Sequence, residues 1–80
     1  MRAIALSAAL LLSALPVHAD DRAECKSGIE MIQSEIGKKP PQATLRKLET
    51  ALRVARREDQ EGEYDECLDA VKDARKALGR

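Results

Sequence analysis

The chain of 80 residues has almost no aromatic side chains. It contains no Trp and no Phe, and Tyr64 is its single aromatic residue. Aromatic side chains bury the largest areas in protein interiors, so this core must be built from Leu, Ile, Val, Met and Ala. Such a core is thin, and we expect it to need a covalent cross-link, an oligomeric partner or both.

Histidine is nearly absent as well, and this limits the chemistry that the chain can perform. The only histidine, His18, lies in the amino-terminal segment that we predict below to be removed. The sequence also has no Gly-rich phosphate loop, no nucleophile-elbow serine and no cluster with metal-ligand spacing. We therefore expect no enzymatic activity, no catalytic residue and no bound cofactor, and we assign no metal ligand from a motif.

The charge balance argues against nucleic-acid binding. The whole chain has 14 basic and 14 acidic residues. Removal of Arg2 with the amino-terminal segment leaves 13 basic and 14 acidic residues, a net charge of −1. Binding to a phosphate backbone needs an excess of positive charge, and single-strand binding needs stacking aromatic side chains. We therefore expect no nucleic-acid partner.

The amino-terminal segment has the three-part order of a secretory signal peptide. Arg2 supplies a positive charge, residues 4–15 form an apolar run, and Pro16 precedes a short cleavage region. The apolar run is several residues too short to cross a membrane, which takes about 20 residues. We predict that residues 1–19 are cleaved, that no membrane anchor remains, and that residues 20–80 form one small domain in the periplasm or outside the cell.

Three segments after the signal have the periodicity of amphipathic helices, and no segment alternates like a strand. We place the first between an N-cap at Asp21 and a helix-ending glycine at Gly37. The second covers about residues 42–60 and the third about residues 63–78, each followed by a glycine. The predicted inward-facing residues are Cys25, Ile29, Ile32, Ile36, Leu45, Leu48, Leu52, Ala55, Tyr64, Cys67, Leu68, Val71, Ala74 and Leu78.

Short loops between these helices predict an all-α fold, a three-helix bundle that runs up, down, up. Cys25 and Cys67 then lie at the same level of two parallel helices, and two cysteines in an exported protein usually pair. Gly28 and Ala70, each three residues after a cysteine, would let the backbones approach closely enough for a disulfide. A redox-active pair and an intermolecular bridge are alternatives, but catalytic pairs are usually close in sequence.

An acidic segment at residues 58–73 is the best candidate for binding a hard cation such as calcium. Alignment of Gly62 with the glycine of an EF-hand loop places Arg57 and Leu68 where carboxylates are required, so that motif is excluded. The alternative is that these carboxylates stabilise the start of the third helix and form a solvated face. The acidic members of the segment are Glu58, Asp59, Glu61, Glu63, Asp65, Glu66, Asp69 and Asp73.

A basic stretch along the second helix makes the bundle electrically asymmetric. Its residues could pair with the nearby acidic segment, or they could support self-association or docking on a charged partner. The basic residues are Arg46, Lys47, Arg53, Arg56 and Arg57.

The stretch from Gly62 to Leu68, ahead of Ala74 and Leu78, resembles part of a tetratricopeptide-type helix pair. The resemblance covers less than half of the chain after the signal. The other signature positions are missing, and a single pair of helices could not bury its own apolar face, so we assign no family.

These observations favour a small exported helical protein that acts as a protein-interaction or structural module, with another protein or itself as partner. The alternative function is weak binding or buffering of a divalent metal by the acidic segment at residues 58–73.

Overall fold

The computed structural model describes residues 17–80, and side chains from residue 20 onward. It contains three helices, α1 (Val17–Gly37), α2 (Gln42–Gln60) and α3 (Tyr64–Ala77), and no strand within residues 17–80. In this part of the chain no helix has both the length and the apolar character needed to span a membrane. The predicted signal peptide lies outside the described residues, except for its last three residues at the start of α1.

Helix α1 begins earlier than the sequence predicts. The predicted N-cap, Asp21, lies inside the helix, which starts at Val17. No glycine or proline occurs between Val17 and Asp21, so nothing in that stretch stops the helical hydrogen bonds from extending. The prediction of an N-cap at Asp21 was therefore wrong.

Helix α1 ends at Gly37, as predicted, but the chain reverses at a different residue. Gly37 is the last residue of the helix and does not adopt positive φ; the left-handed residue is Lys39, with φ of 56°. The amides of Lys38 and Lys39 still donate to carbonyls three residues back, at 3.1 Å each. Because Pro40 has no N–H, this bonding cannot continue past Lys39, and the reversal falls there.

Helices α2 and α3 end at left-handed glycines, as the sequence predicts. Gly62 has φ of 76° and Gly79 has φ of 83°. After Gly79, the amide of Arg80 donates to the carbonyl of Arg75 at 2.9 Å, which is the closing bond of a Schellman motif. This turn fixes the position of Arg80 at the end of the bundle.

Three side-chain contacts show that the helices run up, down, up. Near one end of the bundle, Cys25 of α1 is bonded to Cys67 of α3. At the other end, Nη2 of Arg80 lies 3.3 Å from Oε2 of Glu35 in α1. Helices α1 and α3 are therefore parallel. Asp59, close to the end of α2, contacts Cys25 near the beginning of α1, so α2 runs in the opposite direction.

Glu35 links the end of α1 to the end of the chain. Its Oε2 accepts a hydrogen bond from Nζ of Lys38 at 3.0 Å and another from Nη2 of Arg80 at 3.3 Å. The bond from Lys38, more than that from Arg80, lowers the pKa of the Glu35 carboxyl, although partial burial acts in the opposite direction. The carboxylate therefore stays ionised at neutral pH and keeps both contacts.

The core is as thin as the missing aromatic residues predict. Among residues 20–80, only Ile32, Leu48 and Val71 are large aliphatic side chains that are fully buried, and four of the other buried residues are alanines. Tyr64 and Met31 pack at the edge of this core and are half-buried. The buried set is Cys25, Ile32, Leu48, Ala51, Ala55, Cys67, Ala70, Val71 and Ala74.

Helices α1 and α3 pack closely at Gly28. A Cβ atom at this position would lie 2.5 Å and 2.7 Å from the two Cγ atoms of Val71. The prediction that Gly28 lets the two backbones come together agrees with this contact. Its expected counterpart was Ala70, but Val71 faces Gly28, and Ala70 instead lines a groove between α2 and α3.

Replacement of Gly28 by alanine should lower the free energy of unfolding by about 1–3 kcal/mol, because overpacking against Val71 outweighs the better helix propensity of alanine. Gly37→Ala is the matched control, since a Cβ there meets nothing within 4 Å. It should be neutral or stabilising by up to about 1 kcal/mol. Urea denaturation of both oxidised variants measures the difference. Equal stabilities would show that Gly28 is not a close-packed position.

Candidate functional site

The two cysteines lie at disulfide-bonding distance, which confirms the predicted pairing of Cys25 with Cys67. Their sulfur atoms are 2.03 Å apart and their Cα atoms 5.8 Å apart, across a sequence separation of 42 residues. Both cysteines are fully buried. The bond therefore joins the first half of α1 to the first turn of α3 from within the core.

The surroundings of the disulfide favour a structural role. Oδ1 of Asp59 lies 3.5 Å from Sγ of Cys25, and Oδ2 of the same carboxylate lies 3.9 Å from Nζ of Lys26. An oxidised sulfur carries no proton, so the first contact is a van der Waals contact and not a hydrogen bond. An attacking thiolate would meet both the buried position of the sulfur atoms and the negative charge of Asp59, and both oppose exchange.

The fold places the carboxylates of the acidic segment at residues 58–73 in different environments. Glu58 pairs with Arg57 at 3.2 Å, and Asp59 pairs with Lys26. Asp65 and Glu66 lie in the first turn of α3, where the helix dipole favours negative charge. Among residues 20–80, no three His, Cys, Asp or Glu side chains are placed where they could hold a metal ion. The geometry therefore gives the metal-binding alternative no support.

The basic residues of α2 also lie in different environments. Arg57 pairs with its chain neighbour Glu58, as the intramolecular interpretation predicts. Arg53 and Arg56 line a different, shallow surface of α2 together with Leu52 and Gln60. The two remaining basic residues, Arg46 and Lys47, lie beside α3.

Beside α3, these two residues border an open groove between α2 and α3, which we call the α2–α3 groove. The groove has a volume of about 530 Å³. Buried Ala51 and Ala70 and half-buried Val54 provide its apolar surface, because alanine side chains are too short to fill the space between two helices. The complete lining is Arg46, Lys47, Thr50, Ala51, Val54, Glu66, Asp69, Ala70 and Asp73.

Both basic and acidic side chains line the α2–α3 groove. Because α2 and α3 are antiparallel, Arg46 and Lys47 lie towards the end of the groove where α3 finishes, which is also the end near Asp73. Glu66 lies towards the other end, and Asp69 lies between them. Within the described part of the chain, no ion pair includes a residue of this groove. The ion pairs there are Lys26–Asp59, Lys38–Glu35, Arg57–Glu58 and Arg80–Glu35.

The charged residues of this groove could be identified in the sequence, but the way in which α2 and α3 bring them together could not. The acidic and basic stretches were both identified, whereas the groove depends on which residues of α2 face α3. Ala51 in α2 and Ala70 in α3 are small residues that indicate a shallow contact between helices, but the sequence does not show that they face each other.

Comparison with protein-family models, with curated proteins and with solved structures finds no match to this chain. The resemblance of residues 62–68 to a tetratricopeptide-type helix pair therefore gains no support, and the site has to be interpreted from its own geometry.

Removal of the disulfide should unfold most of the protein. The bond closes a loop of about 43 residues, which contributes roughly 4 kcal/mol on the chain-entropy model. The total stability of a small domain is only about 0.05–0.15 kcal/mol per residue, so this loss removes most of the free energy that keeps a domain of this size folded. The double variant Cys25→Ala/Cys67→Ala, and the wild-type protein in strong reductant, should both lose most of their far-ultraviolet helical signal at 37 °C. A melting curve that is unchanged by either treatment would contradict the structural role of the bond.

Proposed function

We propose that this protein is a small exported, non-catalytic helical module that binds another protein, or a second copy of itself, through the α2–α3 groove. The observation that carries the proposal is the groove itself, with an apolar floor and charged side chains that form no ion pair within residues 20–80. Charged side chains around a small apolar patch provide both the attraction and the orientation that a protein partner needs.

Binding fits this surface better than catalysis does. The groove is open, and its titratable members are exposed on the two helices. Acid–base catalysis at neutral pH generally uses titratable groups in enclosed sites, where burial or close neighbours act on them. Residues 20–80 also contain no histidine.

Export is the second part of the proposal. The apolar run at residues 4–15 and the short region that follows Pro16 support a signal peptide at residues 1–19. A disulfide persists in oxidising compartments such as the periplasm, which is the location that we propose. Cleavage after Ala19 would leave Asp20 and Asp21 at the start of α1, where their carboxylates stabilise the helix dipole.

A photo-reactive amino acid at Thr50, introduced by nonsense suppression in exporting cells, tests the groove directly. Thr50 lines the α2–α3 groove and is exposed. We expect a discrete cross-linked product of defined mass after irradiation, because a docked partner covers this position.

The matched control places the same amino acid at Ser34, an exposed position on α1 that lines none of the grooves. The control should give no discrete product. The proposed function fails if Thr50 also gives none, or if both positions give the same products.

A further inference from the structure

We propose that the disulfide of this protein forms by thiol–disulfide exchange that begins at Cys25, on the open chain, and is completed by Cys67. The exchange partner is a disulfide-bearing oxidant of the compartment that receives the exported chain. Two observations carry the proposal: the different charges beside the two cysteines, and the burial of both sulfur atoms in the finished bundle. It rests on the export part of the proposed function but not on the α2–α3 groove.

Cys67 is surrounded by carboxylates along the chain. Asp65, Glu66 and Asp69 lie within two residues of it, and the nearest basic residue, Lys72, is five residues away. Nearby negative charge disfavours the ionised thiol, which is the form that attacks a disulfide. At neutral pH, Cys67 is therefore the slower nucleophile of the open chain.

Cys25 has a balanced charge environment. The charged residues within two positions of it, Glu24 and Lys26, have opposite signs, and Arg22 adds a positive charge one residue further away. More distant carboxylates lie about 10 Å or more along an open chain, where salt screens most of their effect. These carboxylates, four or five residues from Cys25, are Asp20, Asp21 and Glu30.

The finished bundle removes both the access to the sulfur atoms and the advantage of Cys25. Cys25 and Cys67 are fully buried, so an oxidant cannot reach either of them once the helices have packed. Oδ1 of Asp59 in α2 then lies 3.5 Å from Sγ of Cys25, where its charge disfavours a thiolate. The first exchange must therefore take place before α1 packs on the other two helices.

A mixed disulfide at Cys25 does not fit into this bundle. Beside the buried Cys25, Gly28 lies so close to α3 that a Cβ atom there would already meet Val71 at 2.5 Å. The oxidant half of a mixed disulfide on Cys25 would hold α1 away from α3. Helix α1 can therefore take its place only when Cys67 has displaced the oxidant.

The reaction consists of two exchange steps. The thiolate of Cys25 first attacks one sulfur atom of the oxidant, so that a mixed disulfide forms and the other sulfur atom of the oxidant leaves as a thiolate. The thiolate of Cys67 then attacks Sγ of Cys25 and expels the remaining sulfur atom of the oxidant. The chain is oxidised by two electrons, and the oxidant is reduced to two thiols, which take up the two protons that the cysteines release.

Exchange rates of two single-cysteine variants test the first step. Cys67→Ala keeps Cys25, and Cys25→Ala keeps Cys67. Both are prepared as residues 20–80, reduced, unfolded in urea, and mixed with hydroxyethyl disulfide, which is neutral, so that charges act only through the cysteine. Mass spectrometry after acid quenching should show that Cys25 reacts at least about threefold faster at neutral pH and low salt. Well above pH of about 8.5, where both thiols are ionised, the difference should disappear.

Neutral substitutions identify the carboxylates that are responsible. Added to Cys25→Ala, the changes Asp65→Asn/Glu66→Gln/Asp69→Asn should raise the exchange rate to nearly that of Cys25. The matched control removes three carboxylates that are six or more residues from Cys67 and should leave the rate unchanged. Its substitutions are Glu58→Gln, Glu61→Gln and Asp73→Asn.

Oxidation of the reduced wild-type chain without urea tests the order of events. Peptide mapping of early quenched samples should find the adduct mainly on Cys25, and the helical circular dichroism signal should rise with the intramolecular bond and not with the adduct. Equal rates for the two cysteines at neutral pH, or a faster Cys67, would overturn the proposal. So would a rate difference that survives removal of the three carboxylates, or a helical signal that is complete while the adduct remains. None of these results bears on the cross-linking at Thr50, which tests the groove separately.

Discussion

The bond between Cys25 and Cys67 is the constraint on which the rest of this structure depends. It holds α1 against α3 at a separation that only a glycine at position 28 allows, because Val71 occupies the space of a Cβ atom. The two features support each other: the disulfide needs close backbones, and close backbones need Gly28. A small chain with few large apolar side chains gains its order from this covalent contact more than from its core.

The α2–α3 groove results from the same shortage of large side chains. Alanines where α2 meets α3 let the two helices approach, but they leave the space above them unfilled, so a groove with an apolar floor remains open. The acidic start of α3 suits its own helix dipole, and the antiparallel direction of α2 brings basic residues to the other end of that groove. The position of the basic residues along the groove is thus a consequence of helix direction as much as of composition.

Much of the fold could be predicted from the sequence because its signals are local. The apolar periodicity and the flanking Pro41 and glycine place α2 at Gln42–Gln60, as observed. The predicted start of α1 was wrong, since Asp21 lies inside a longer helix, and the chain reverses at Lys39 and not at Gly37. The groove could not be predicted, because it depends on the rotation of α2 against α3. That rotation is set by packing between residues distant in sequence, such as Ala51 and Ala70.

The measurement that tests this account most directly is the intact mass of the exported protein, alkylated without prior reduction. The account predicts the mass of residues 20–80 with two hydrogens missing and no alkyl group, because the signal has been removed and Cys25 is bonded to Cys67. A mass that retains residues 1–19 would contradict export with cleavage. A mass that carries two alkyl groups would contradict the disulfide, and with it the constraint that holds α1 in the bundle.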